Sequence, residues 1–85
     1  MVRLWFKVII NDKIQKQYVY EKDEKFTYSH FQEYISDGCY ALDEATPVII
    51  RNHIMNFAKY HSVKFAPSDF IETVSFDKLQ VENLE

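Results

Sequence analysis

The side chains best suited to covalent chemistry in this chain are one thiol, Cys39, and three imidazoles, His30, His53 and His61. A thiolate beside an imidazole base would make a nucleophile for acyl transfer. The spacing argues against that pairing. Cys39 falls on an apolar stripe with Phe31, Tyr34, Ile35 and Leu42 at helical intervals. A thiol buried there packs as a small hydrophobe and holds its proton more tightly. His61 closes the apolar face of a second helical segment and reads as a core or C-terminal cap residue. His53 lies near the start of that segment, where the helix dipole disfavours its charged form. Asp43 and Glu44 are adjacent, so on a helix they point apart and cannot share acid–base work. Gly38 is the only glycine, and phosphate loops and dinucleotide fingerprints need several for close backbone approach. One cysteine and three scattered histidines do not form the common structural zinc patterns, and no aspartate-rich calcium loop occurs. The expectation is a non-enzyme with no catalytic residue, metal or cofactor.

Two constellations suit binding. Arg3, Trp5 and Lys7 share the outward phase of the N-terminal strand. Aromatic and cationic side chains on an open sheet face stack bases and contact phosphates, and protein interfaces enrich the same types. The competing reading is a Trp5 covered by a loop, a helix or the C-terminal segment. The second constellation is the stretch 45–68, which contains no acidic residue but holds Arg51, Lys59 and Lys64 with His53, Tyr60 and His61. Three cations are few for nucleic acid, where affinity rises with each phosphate neutralised. The candidate binding residues are therefore Arg3, Trp5, Lys7, Arg51, Lys59 and Lys64. Another protein, or a second copy of this chain as a homodimer, is the preferred partner, and nucleic acid is the alternative.

The elements that must position these residues are legible by period. Val2, Leu4, Phe6, Val8 and Ile10 alternate with more polar positions, the signature of a strand with one buried face. Asn11-Asp12-Lys13 supplies turn chemistry, and Ile14 to Tyr20 has the composition of a second strand. Residues 21–25 read as a charged connection. Ser29 and Gln32 have capping-box spacing, with Thr27 as a competing cap, ahead of a helix of about four turns on the Phe31–Leu42 stripe. Gly38 either weakens that helix or lets something pack closely against it. After Pro47, Val48-Ile49-Ile50 reads as a short buried strand. Asn52 is the expected cap of a second helix, with Ile54, Phe57, Ala58 and His61 along its inner face. Val63 to Phe65 is extended, Pro67-Ser68-Asp69 opens a turn or short helical segment, and residues 74–82 contain the last strand. This order predicts one α+β domain over residues 1–85, a small antiparallel or mixed sheet with two helices on one face. The other face stays partly wet.

Charge and composition bound the setting. The net charge is −3, but residues 27–44 carry four acids and no base, whereas 45–68 carry three bases and no acid. Such blocks are the solvated faces of successive elements, or an acidic face that meets a basic partner. The lone cysteine fits a reducing compartment. The first ten residues are broken by Arg3 and Lys7 and lack a cleavage site of small residues, and no apolar run reaches spanning length. A cytoplasmic protein without a membrane partner is expected. Eight Lys against two Arg, with many Ile, Phe and Tyr, is the usage of a low-GC bacterium or its mobile elements.

Three blocks carry a resemblance. They are Cys39-Tyr40-Ala41-Leu42-Asp43 leading to Pro47-Val48-Ile49-Ile50; Phe57 to Lys59 with His61 and Lys64-Phe65; and Asp69-Phe70-Ile71-Glu72 with Phe76-Asp77-Lys78-Leu79 and Val81-Glu82. Together they resemble a family of short uncharacterised proteins of clostridial and related Gram-positive genomes. Its members tend to carry more basic residues around Tyr60 to Lys64 than this chain does. The resemblance implies a shared fold and host range, and no catalytic residue comes with it.

Overall fold

The structure is a computed structural model that describes residues 1–85. Its frame is set by β1 (Val2–Ile10), whose alternate residues Val2, Leu4, Phe6 and Val8 are all buried. Asn11 and Asp12 both adopt left-handed backbone, φ 52° and 63°. That is the two-residue turn whose twist suits a tight hairpin, and it returns the chain as β2 (Lys13–Lys22). The sheet is completed by β3 (Ser62–Phe65) and β4 (Lys78–Asn83) in the order β2-β1-β4-β3. Every pairing is antiparallel. The apolar β1 and β4 are therefore central, and β2 and β3 form the two edges.

Two helices cover one face. A short 3-10 turn, Tyr28–His30, leads into α1 (Phe31–Ala41), and α2 spans Arg51–Tyr60. The stripe expected on α1 is the stripe observed: Phe31, Tyr34, Ile35, Cys39 and Leu42 are buried in one core with Phe6, Phe57, Phe65 and Leu79. Gly38 allows close approach. A Cβ built there would lie 2.1 Å from Cζ of Phe6, and two further ring atoms would be at 2.4 Å. The helix thus rests its backbone on the edge of that ring. Asp43, φ 56°, follows the last turn.

Four local expectations are corrected. Neither Ser29 nor Thr27 caps α1; their hydroxyls bond to each other at 3.0 Å, and the helix ends after about three turns rather than four. The segment 21–25 is not all connection, because β2 runs to Lys22. Val48-Ile49-Ile50 is not a buried strand. Val48 and Ile50 are half exposed, and the Val48 N–H donates to the Asp69 carbonyl at 2.7 Å. Both central strands already have two neighbours, so the sheet offers this segment no interior place. Finally, α2 starts from Ile50 rather than Asn52, and its buried residues are His53 and Phe57 with Ile54 half buried, while Ala58 and His61 are exposed.

Candidate interaction site at the sheet edges

The groups with reactive chemistry are used structurally. Cys39 is fully buried, and desolvation pushes its thiol up to about 12, far from a reactive thiolate. His61 is the left-handed C-cap of α2, φ 58°, with its N–H donating to the Phe57 carbonyl at 2.9 Å. His53, only 6% exposed, is the residue that hydrophobic periodicity missed. Its Nδ1 accepts the Ile50 N–H at 3.0 Å, and its Nε2 lies 3.3 Å from Asp69 Oδ2. Asp69 Oδ2 also accepts the Ala66 N–H at 2.8 Å. Since Nδ1 is an acceptor, the proton sits on Nε2, the nitrogen in charge contact with Asp69. The imidazole packs 4.6 Å from the Phe65 ring. The pair staples the start of α2 to the turn after β3.

Arg3, Trp5 and Lys7 do lie together on the sheet face that no helix covers, and each has a partner there. Arg3 Nε is 3.0 Å from Glu21. Lys7 Nζ is 3.8 Å from Glu82 and 4.1 Å from the centre of the Trp5 ring. Trp5 donates its indole N–H to Gln17 Oε1 at 3.0 Å. Trp5 is neither fully exposed nor fully buried, with Gln17 and Lys7 against its ring. Opposite charge and a matched acceptor leave this face largely neutral.

The inner flank of β2 is paired in the same way. Lys16 donates to Glu44 at 2.8 Å and to the Leu42 carbonyl at 3.1 Å. Lys22 meets Glu33 at 3.2 Å and Glu24 at 3.6 Å, and the hydrogen bond to Glu33 is the main reason its pKa is raised. The Tyr20 hydroxyl donates to Asp37 at 2.9 Å; burial and then that carboxylate raise the pKa of the phenol. Glu24 accepts from His30 and Tyr34, and these bonds, His30 first, hold its carboxyl down at about 2. The acids of α1 thus meet bases within this same chain.

The α2–β3 flank differs. None of the ion pairs involves Arg51, Lys59 or Lys64, and all three are exposed. Arg51 opens α2 and Lys59 ends it, with the Lys59 ammonium 5.2 Å from the Tyr60 ring. Lys64 stands on the open face at the far edge, across from Gln80. The structure therefore does not gather the six candidate residues into one patch. Between them, Asn56 and Tyr60, one turn apart on α2, and Ser62, Val63 and Lys64 of β3 line an open cleft of about 300 Å³.

Backbone phase gives this edge its chemistry. The Asn83 N–H donates to the His61 carbonyl at 2.7 Å. In an antiparallel ladder, bonded and non-bonded pairs alternate. Val63 and Phe65 therefore turn their backbone groups to β4, and Ser62 and Lys64 turn theirs to the free edge beside the cleft. On the other edge, the Leu84 N–H donates to the Arg3 carbonyl at 2.9 Å. By the same alternation, Gln17, Val19 and Glu21 of β2 face outward. No group of His, Cys, Asp and Glu side chains is arranged to hold a metal ion, and no helix is long and apolar enough to cross a membrane. Searches of protein-family models, curated proteins and solved structures find no match to this chain.

Proposed function

We propose that this protein is a non-enzymatic interaction module that engages another protein through a sheet edge, at the cleft between α2 and β3. One observation carries the reading: the outward backbone groups of Ser62 and Lys64 open onto a cleft whose one lining cation, Lys64, has no acidic partner. An exposed edge is a template for one more strand, with main-chain hydrogen bonds for affinity and a neighbouring pocket for specificity. The β2 edge is longer, but it is broken by a bulge at Gln15, where the register slips between Val8 and Ile9, and a bulge discourages strand addition. Single-stranded nucleic acid is the weaker reading, because pairing of Arg3 and Lys7 leaves Arg51, Lys59 and Lys64 to meet phosphates.

Selection from an unbiased displayed-peptide library against the folded protein tests the reading. Enriched peptides are expected to slow amide exchange at Ser62 and Lys64. A selection that enriches nothing above the starting library would overturn it.

A further inference from the structure

Resting on that reading, we infer that the partner segment is an acidic, extended peptide that adds along β3 as a fifth strand, with carboxylates directed at Lys59 and Lys64. The argument for a peptide is the donor–acceptor pattern. Ser62 and Lys64 each offer an N–H and a C=O in one line at strand spacing, and another extended backbone satisfies both kinds of group. A phosphodiester backbone would accept from the N–H groups and leave the carbonyls unmatched. The argument for acidity is charge complementarity. The protein is net −3, yet the elements lining this edge come from the acid-free stretch 45–68, so α2 and β3 present no acid of their own to an approaching carboxylate. Glu82, the nearest strand acid on the open face, is turned toward Lys7. Tyr60, 61% exposed beside Lys59, gives the incoming strand an aromatic wall. The edge is only four residues long, which limits the added strand to a few main-chain bonds and makes the charges matter for selectivity.

Fluorescence anisotropy with a labelled peptide of repeated Glu-Glu-Val, which as a strand carries carboxylates on both faces, its Lys–Val counterpart and labelled oligothymidylate tests this on the intact protein. The Glu–Val peptide is expected to bind at least about tenfold more tightly than the Lys–Val peptide, with affinity falling as salt is raised. Lys64→Pro removes an outward N–H together with the Lys64 ammonium, at a position that tolerates proline on an edge strand, and is expected to abolish binding. The surface pair Lys59→Glu with Lys64→Glu leaves the core untouched and is expected to do the same, whereas Arg3→Glu on the open face is expected to change little. Equal binding of both peptides, or Glu–Val binding that survives the double charge reversal, would overturn the inference. So would oligothymidylate binding that displaces the Glu–Val peptide. If neutral peptides from the library protect Ser62 and Lys64 while Glu–Val does not bind, the acidic partner fails and the interaction module stands. If neither binds, both fail.

Discussion

On the β2 flank Lys16 and Lys22 end on Glu44, Glu33 and Glu24, whereas on the β3 flank Lys59 and Lys64 end on no carboxylate. The difference follows from which helix lies over which edge. The acids of α1 and its following turn, Glu33, Asp37 and Glu44, face the tyrosine and lysines of β2. In contrast, α2 and β3 both come from the acid-free stretch, and packing them together concentrates its positive charge. A block pattern along the chain becomes a polarity across the sheet. One flank uses its charges to hold itself together, and the other leaves them for something else.

The largest effect tests how tightly the first flank is built. Gly38→Ala would place a methyl carbon 2.1 Å from a Phe6 ring that is fully buried and has no room to retreat. Overpacking of this kind is expected to cost about 3 kcal/mol and to lower the unfolding temperature by more than about 10 °C. Adding Phe6→Leu should restore part of the loss. An unchanged thermal midpoint for Gly38→Ala would show that helix and strand are not in contact there. Next in size is the staple of the second flank. Asp69→Ala leaves the Ala66 N–H without its acceptor and removes the carboxylate beside the buried His53 Nε2, and is expected to cost about 2 kcal/mol. Chemical denaturation would measure it. A loss no larger than that of an exposed surface substitution would mean that His53 is held by Phe65 and Ile50 alone.

How much of this was legible depends on whether the signal was local. The alternation of Val2 to Val8 and the Asn11-Asp12 turn define the hairpin, and the stripe from Phe31 to Leu42 defines α1. The hairpin register is another matter. A plain two-residue turn would continue from Ile9 opposite Ile14 to Val8 opposite Gln15. The bulge at Gln15 instead sets Val8 opposite Lys16, and so brings Arg3 opposite Glu21 and Leu4 opposite Tyr20. One extra residue decides whether Tyr20 or Val19 faces the core, and whether Arg3 finds its acid. No composition signal marks it. The segment 48–50 misled for the opposite reason. Three β-branched residues look like a strand locally, but a buried strand needs a place inside the sheet, and both central strands already have two neighbours. The phase of α2 escapes hydrophobic periodicity, which scores apolar residues, because the side chain that goes inside with Phe57 is a histidine whose cost of burial is offset by partners at positions 50 and 69. The Pro67-Ser68-Asp69 turn itself is legible, but nothing local says that its aspartate also meets His53.

Acid should separate the two flanks. Hydrogen bonds from His30 and Tyr34 hold the Glu24 carboxyl at about 2 in the folded protein, below the ordinary value of about 4.3. A depressed carboxylate contributes stability that is complete above its unfolded pKa and is lost as pH falls through the folded one. The contribution of Glu24 should therefore fade between about pH 4.3 and 2, opening the junction of β2 and α1 first. Glu24→Gln keeps a polar group without the titration, so its stability profile across that window should be flatter than that of the parent protein. Parallel profiles would assign the acid sensitivity to other carboxylates.

The smallest change in stability should come from the open face. Glu21→Gln with Glu82→Gln would free Arg3 and Lys7 and raise the net charge from −3 to −1. Arg3 and Glu21 are both exposed, so Glu21→Gln should move stability by no more than about 0.5 kcal/mol, and Glu82→Gln, beside the mostly buried Lys7, by about 1 kcal/mol. The variant then carries unpaired cations on both the open face and the β3 edge, but only the edge has outward backbone groups, because β1 and β4 are flanked on both sides. If a free edge and free charge are both required, the Glu–Val peptide should gain only weak, salt-sensitive affinity from the new cations, and Lys64→Pro should still remove the tight component. A gain at the open face that rivals binding at β3 would mean that unpaired charge alone distinguishes the two regions.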